Sequence, residues 1–218
     1  MEPFGHVAPT MDRMRESARD IRILRLARPL RLIAFSRRDE RSPRFDEAVE
    51  AADSFGFLAA VRPVGGTFAP LHEGSLVVDE FGFSEGQEWP NARFDRHAEL
   101  LAEVFASYGI DARVGEVPGE YCPGAHSVNR GGVAKISGTA QRVSRGAWLV
   151  SSVVQVEPVE ALLPVTEAVA AALDADVDTA TIGALSDTVP SLTVEDVATR
   201  IAERFREDGI DEVERLGV

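Results

Sequence analysis

The sequence predicts an α+β domain, a mixed or antiparallel β-sheet flanked by helices. Two observations carry this assignment. Runs of strand length and segments of helical spacing are mixed irregularly, with no regular βαβ alternation. The helical segments are punctuated by Ser-Pro, by Thr-Val-Glu-Asp and by single glycines, and no repeat or low-complexity tract interrupts them.

In chain order, residues 21–26 and 32–35 are short apolar runs with interspersed arginines and read as strands. Ser42-Pro43 reads as a helix N-cap with proline in the first helical position. Asp46 and Glu47 then fall in the first turn, Phe45, Val49 and Ala52 share one face, and Gly56 supplies the left-handed terminus. Residues 57–61 form the next strand, Gly65-Gly66 opens a loop, and 76–83 return as a strand. A turn-rich connection follows over 84–90. Phe94, Leu101, Val104, Phe105 and Tyr108 lie at helical spacing, and Gly109 ends that helix. Residues 112–114 form a short strand, and 116–124 are loop, with two prolines and two glycines. From 126 to 156 the pattern is strand-like, with a hairpin signal at Gly131-Gly132 and a long apolar strand over 147–156. Residues 159–173 form an alanine-rich helix. Thr193-Val194-Glu195-Asp196 resembles a capping box, and Val197, Ile201 and Phe205 line one face of the last helix.

The composition narrows the function classes. With 218 residues, 44% hydrophobic and 27% charged, the chain is of ordinary globular type and long enough to bury a core unaided. One cysteine excludes an internal disulfide and fits a reducing compartment. No apolar run reaches membrane-spanning length, and residues 1–20 lack the apolar stretch of a signal peptide, so a cytoplasmic location without membrane partners is expected. A net charge of −13 argues against nucleic acid as a partner. The charge is uneven: residues 1–44 hold eleven arginines and six acids, a local +5 that leaves −18 on the rest. That basic segment reads as a solvated face or as a docking patch for an acidic partner such as an acyl carrier domain.

Of the 23 basic residues only Lys135 is lysine, and it follows the only cysteine, Cys122, by thirteen positions. Lysine can lose its proton where guanidinium cannot. Cys122 lies in the loop Gly-Glu-Tyr-Cys-Pro-Gly, which suits a nucleophilic thiol at a cleft better than a core cysteine. Lys135 lies between Val133, Ala134 and Ile136. Pointing inward it needs a partner or a use, pointing outward it is a solvated side chain, and periodicity leaves both open. Arg62-Pro63-Val64-Gly65-Gly66-Thr67 follows a strand and offers close backbone approach beside an anion-binding arginine, or a plain tight turn. It is neither a dinucleotide fingerprint nor a P-loop. His72 is a general base, a site-lining group or a structural histidine. The four histidines and single cysteine lack metal-site spacing.

The segment Lys135-Ile-Ser-Gly138-Thr139-Ala-Gln141-Arg142 resembles the lysine signature of the biotin/lipoate A/B protein ligase family, most closely its lipoate-protein ligase and octanoyltransferase branches. Arg62-x-x-Gly65-Gly66, followed by His72-Glu73-Gly74, resembles that family's arginine–glycine loop and downstream histidine. Residues 34–39 with the helix after Pro43 resemble its opening segment, and 181–197 its closing segment, so the likeness spans about residues 21–206. The resemblance implies the fold of class II synthetase and biotin-ligase catalytic domains. It implies an N-terminal extension over 1–20 and a single acyltransferase/ligase-like catalytic domain over 21–218.

It also implies site residues. Lys135 takes the position that contacts the acyl carbonyl and the activated leaving group. Arg62, Gly65, Gly66, His72, Gly138, Thr139 and Gln141 take substrate-binding positions. In transferase members a cysteine just before the lysine motif carries the acyl group as a thioester, and Cys122 occupies a matching position. Ligase members instead form an acyl-adenylate from ATP and Mg; Thr67 stands where many of these have a third glycine, and His72 falls one position later than theirs. The expected reaction is transfer of an octanoyl or lipoyl group through Cys122 to a lysine of a lipoyl-domain protein, with no cofactor required. Lys135, as a cation, is expected to lower the thiol pKa and stabilise the oxyanion. The partners implied are an acyl carrier protein and lipoyl-domain proteins, such as glycine cleavage H protein and dehydrogenase E2 subunits. The alternatives are an ATP-dependent lipoate-protein ligase and a non-catalytic binding homologue.

Overall fold

The computed structural model describes residues 3–17, 21–84 and 90–218. The elements are α1 (Val7–Ser17), β1 (Ile23–Ala27), β2 (Leu32–Phe35), α2 (Phe45–Ser54), β3 (Leu58–Val61), β4 (Ala69–Leu71), β5 (Ser75–Phe83), α3 (Pro90–Ser107), β6 (Ala112–Val114), β7 (Val128–Arg130), β8 (Ala134–Ser144), β9 (Ala147–Gln155), α4 (Leu162–Leu173), α5 (Val194–Glu207) and β10 (Glu212–Leu216), with short 3₁₀ turns at 39–41, 179–181 and 185–187. A seven-stranded sheet runs β10-β1-β5-β9-β8-β7-β6, and a three-stranded sheet runs β3-β2-β4. Both are mixed: β1/β10 and β2/β3 are parallel, and the other pairs are antiparallel. The expected α+β class with a mixed sheet is what forms.

The large sheet is covered on both faces. On one, α3 and α5 bury Leu101, Phe105, Val197 and Phe205 against Leu24, Val78, Ile136 and Val154. On the other, the small sheet with α2 and α4 packs Phe35, Phe68, Val165 and Val169 toward Val153. Further along that second face, α1 seats Val7, Met11 and Met14 on Phe81 and Leu149. Each buried aromatic or branched side chain contributes on the order of 1.5–3 kcal/mol.

Several boundaries differ from the sequence reading for local reasons. Ser42 does not cap α2; its hydroxyl accepts from Arg44 N at 3.2 Å, and the helix begins at Phe45. Part of the expected N-terminal extension is α1, whose Val7, Met11 and Met14 recur at helical spacing within a polar segment. Residues 1–2 and 18–20 of that extension, and 85–89 of the connection before α3, lie outside the described residues. The Thr193 capping box forms, with Thr193 Oγ1 accepting from Asp196 N and Asp196 Oδ2 accepting from Thr193 N. Gly131 and Gly132 both take positive φ and join β7 to β8 as a hairpin. Among the described residues, no helix is long and apolar enough to cross a membrane.

The basic N-terminal segment is largely matched from within. Arg13 pairs with Glu212 and Glu214, Arg25 with Glu214, Arg28 with Glu157 and Glu195, and Arg31 with Glu73. Arg22 and Arg96 share buried Glu80 and the Asp208 side chain, and His97 closes on Glu80 at 3.0 Å. The local excess of +5 is thus spent on acids of the remaining chain rather than displayed as a uniform basic patch.

Candidate active site

The large sheet brings Lys135 under the Cys122 loop. Along β8 the register passes from Val128↔Ser137 to Asn129↔Lys135, a bulge that places an extra residue on β8. In an unbroken strand residues three apart face opposite sides. The bulge returns Lys135 and Gly138 to one side, so a Cβ on Gly138 would lie 2.8 Å from Lys135 Cε and 3.1 Å from Nζ. Glycine at 138 is what lets the lysine stem lie flat on the sheet. A second support is the closing segment: Gly183 N donates to Lys135 O at 2.9 Å, and Ile182 bridges Lys135 in parallel.

Lys135 is fully buried, which settles the orientation that periodicity left open. Its ammonium donates to Glu120 Oε1 at 3.1 Å, Tyr121 O at 2.9 Å and Cys122 O at 2.8 Å. Those are all three of its donors. Nζ also lies 4.6 Å from the Tyr121 ring centroid, a cation–π contact. Burial pulls the ammonium below its usual range, while the Glu120 carboxylate and the Cys122 thiolate draw it back up.

Cys122 sits at the apex of the loop with φ of 45°, a left-handed conformation that non-glycine residues seldom adopt. Its sulfur does not meet Lys135 directly. Instead it accepts from Arg62 Nη2 and from Thr67 N, each at 3.3 Å. Arg62 is itself buried, and its Nη2 also donates to Thr67 O at 2.6 Å. Burial opposes the thiolate, but Arg62, Lys135 and the Thr67 amide together hold the thiol below its ordinary range. The sequence reading gave that task to Lys135; the geometry shares it, with Arg62 in contact and Lys135 one backbone carbonyl away. Gly66 makes the approach feasible: its φ is +91°, and a Cβ there would lie 2.5 Å from the sulfur and 3.0 Å from Arg62 Nη2.

The structure thus gathers Cys122, Lys135, Arg62, Gly66 and Gly138, with Gly65 in the same loop. It does not bring in three other residues singled out by sequence. His72 follows β4, at the opposite end of that strand from Thr67, and none of its hydrogen bonds reaches the sulfur or Lys135. Its Nδ1 accepts from Gly74 N in a tight turn, and burial holds its ring below the usual histidine range while Glu73 and Glu157 oppose that shift. Thr139 and Gln141 alternate with Gly138 and therefore face α3 and α5; Thr139 Oγ1 shares a hydrogen bond with Ser152 Oγ at 2.8 Å.

One residue at the centre of this arrangement is not among those singled out by sequence. Glu120, 2% exposed, accepts from Val117 N at 2.9 Å, Gly124 N at 3.2 Å and Ser127 Oγ at 2.6 Å besides Lys135. The available signal was an acid in a loop beside the cysteine, which from sequence is indistinguishable from a solvated one. A groove runs between α1 and Pro63 of the glycine loop, lined by Phe4, Val7, Ala8, Met11, Arg15, Pro63, Arg142 and Ser144. Arg142 Nη1 donates to Pro63 O at 3.1 Å and ties β8 to that loop.

Comparison with known proteins bears on the fold and the family. Over 109 residues the chain is 32% identical to the octanoyl-[GcvH]:protein N-octanoyltransferase of Geobacillus kaustophilus, covering 50% of this chain and 38% of that enzyme. The Bacillus velezensis protein of the same name is 28% identical over 121 residues, covering 55% of this chain and 42% of that enzyme. The matches thus span less than half the length of these curated relatives. Among solved structures, lipoate-protein ligase A bound with ATP superposes with a TM-score of 0.71 at 20% identity, over 95% of this chain and 82% of that one. The T. acidophilum protein Ta0514 with bound lipoic acid superposes with a TM-score of 0.71 at 19% identity, over 99% and 86%. At those identities the likeness is one of fold. The profile of the Lipoyl protein ligase A/B catalytic domain matches residues 35–206, from the end of β2 to the last turn of α5, and the chain belongs to that family.

Proposed function

We propose that the protein transfers an octanoyl or lipoyl group from a thioester donor to a lysine of a lipoyl-domain protein through a thioester on Cys122. The observation that carries this reading is the sulfur held between Arg62 Nη2 and Thr67 N, 3.3 Å from each. A thiol lacking a catalytic role has no need of a buried guanidinium and a backbone donor aimed at it. The curated relatives named as octanoyltransferases acting with GcvH support the substrate class.

In the first step the Cys122 thiolate attacks the donor's thioester carbonyl. A carbon–sulfur bond to Cys122 forms, the donor's carbon–sulfur bond breaks, and the donor leaves as a thiolate that takes up a proton. In the second step the neutral ε-amine of the acceptor lysine attacks the Cys122 thioester. A carbon–nitrogen bond forms, Cys122 leaves as a thiolate, and the nitrogen sheds its extra proton. Both tetrahedral intermediates place an oxyanion beside the sulfur, where Arg62 and the Thr67 amide are the nearest donors. Lys135 holds the Cys122 carbonyl and so fixes the direction of the thiol. We place the acyl chain in the groove beside Pro63, whose apolar lining of Phe4, Val7 and Met11 suits a hydrocarbon.

Incubation with an octanoyl-carrier protein, followed by intact-mass measurement, tests the reading. The expected result is a single octanoyl adduct, labile to hydroxylamine and absent from Cys122→Ser. Transfer by Cys122→Ser at the parental rate would remove the covalent step. Pyrophosphate release from ATP with free lipoate, without an adduct from the thioester donor, would instead establish the ligase route.

A further inference from the structure

We propose that Glu120 is a positioning residue for acyl transfer, anchoring the Lys135 ammonium beneath the Cys122 turn and thereby holding the sulfur against Arg62 and Thr67. Its importance for turnover rests on the acyl-transfer reading; its effect on the thiol does not.

The geometry makes Glu120 the hub of the loop. Its Oε1 accepts from Lys135 Nζ, Gly124 N and Ser127 Oγ, and its Oε2 accepts from Val117 N. The loop from Val117 to Ser127 is thereby wrapped round one buried carboxylate, with the half-buried Cys122 at its turn. Both Glu120 and Lys135 have fully buried side chains. A lone ammonium at that depth is unfavourable, and Glu120 is the only carboxylate that pairs with it among the described residues. Lys135 in turn donates to the carbonyls of Tyr121 and Cys122, the latter being the residue in the left-handed conformation. The order of dependence is therefore Glu120, Lys135, Cys122 backbone, sulfur.

The groups that act on the sulfur are Arg62 and the Thr67 amide from the glycine loop, Lys135 from β8 and Tyr121 from its own loop, while Glu120 bonds Lys135 rather than the thiol. This arrangement gives Glu120 a signature of opposite sign to a direct charge effect. A carboxylate acting on the thiol through space raises the thiol pKa, so its removal would lower it. A carboxylate acting by keeping Lys135 charged does the reverse: its removal lets Lys135 lose its proton, and the thiol rises.

The test uses the whole protein and iodoacetamide, since its only cysteine is Cys122. The rate of carbamidomethylation is followed by intact mass across pH. Glu120→Gln is expected to move the midpoint up by about one unit and to slow alkylation near neutral pH by roughly tenfold. In a Lys135→Met background the same substitution is expected to give no further rise. Ser127→Ala, which removes one of Glu120's bonds and no charge, is expected to leave the midpoint in place. Glu120→Asp, which keeps the charge, is expected to stay near the parental midpoint and serves if Glu120→Gln does not fold. A downward or absent shift in Glu120→Gln overturns the proposal. So does an undiminished rise in the Lys135→Met background, or a rise in Glu120→Asp or Ser127→Ala as large as that in Glu120→Gln. Alkylation needs no acyl donor, so failure here is distinct from failure to form the octanoyl adduct.

Discussion

Replacing Gly138 by alanine tests whether the lysine is held where catalysis needs it. The new methyl carbon would lie 2.8 Å from Lys135 Cε, whereas ordinary contact begins at about 3.4 Å. The stem must therefore retreat by about 0.6 Å or the strand must shift. The three Nζ bonds measure 2.8, 2.9 and 3.1 Å, so a retreat of that size weakens at least the longest. Hydrogen bonds to charged groups are each worth about 1.5–3 kcal/mol, and a buried ammonium has no water to replace one. Loss or weakening of one or two gives an expected destabilisation of about 2–4 kcal/mol. Urea unfolding measures this directly. Gly65→Ala is the internal control: a Cβ there meets nothing within 4 Å and its φ is ordinary, so a change within about 0.5 kcal/mol is expected. Equal stabilities for the two variants, with parental adduct formation by Gly138→Ala, would refute the claim that Gly138 exists to seat Lys135.

The glycine loop and the buried charges give three further expectations. Gly66→Ala introduces a Cβ 2.5 Å from the sulfur at a φ of +91°, and octanoyl-adduct formation should slow by about 100-fold; an intact-mass time course at the parental rate would count against the placement of the thiol. Arg62→Gln removes the guanidinium in contact with the sulfur, so the alkylation midpoint of Cys122 should move to higher pH, and an unchanged midpoint would show that Arg62 does not stabilise the thiolate. Glu80, fully buried, is penalised by burial, yet His97, Arg96 and Arg22 hold its pKa at about 2 against a usual 4.5. A depressed carboxylate contributes stability that is full above pH 4.5 and lost as pH falls toward 2, worth on the order of 3 kcal/mol at about 1.4 kcal/mol per unit. Urea unfolding should therefore show the parent falling toward Glu80→Gln across that window, and parallel curves would refute the assignment.

What the sequence made legible was whatever is encoded within a few residues. The capping box of α5, the paired glycines between β7 and β8 and the motif around Lys135 are local patterns, and each emerged in the structure. Elements fixed by distant partners were not legible. β10 reads Glu-Val-Glu-Arg-Leu, with no apolar face, because its acids are matched by Arg13 and Arg25 from the other end of the chain. β4 is three residues long, contains Pro70, and is a strand only because β2 accepts it. Thr139 and Gln141 were drawn into the site by their place in the motif, whereas the pleat turns them away. The bulge that rescues Lys135 and Gly138 from the same alternation depends on β7, and no count of spacing along β8 shows it.

The same distinction sharpens the chemistry. Cys122 and Lys135 stand out as the chain's only cysteine and only lysine, and the family resemblance led to the expectation that the lysine cation lowers the thiol pKa. In the fold the partner in contact with the sulfur comes from sixty residues upstream, on a loop whose glycine has no room for a Cβ. Lys135 spends its donors on Glu120 and two backbone carbonyls, so its charge acts on the sulfur through the shape of the turn as well as through space. That arrangement demands lysine rather than arginine: three donors diverging from one small buried head reach three acceptors that a planar guanidinium cannot meet in the same volume. In a chain with 22 arginines, position 135 is where the alternative cation does not fit.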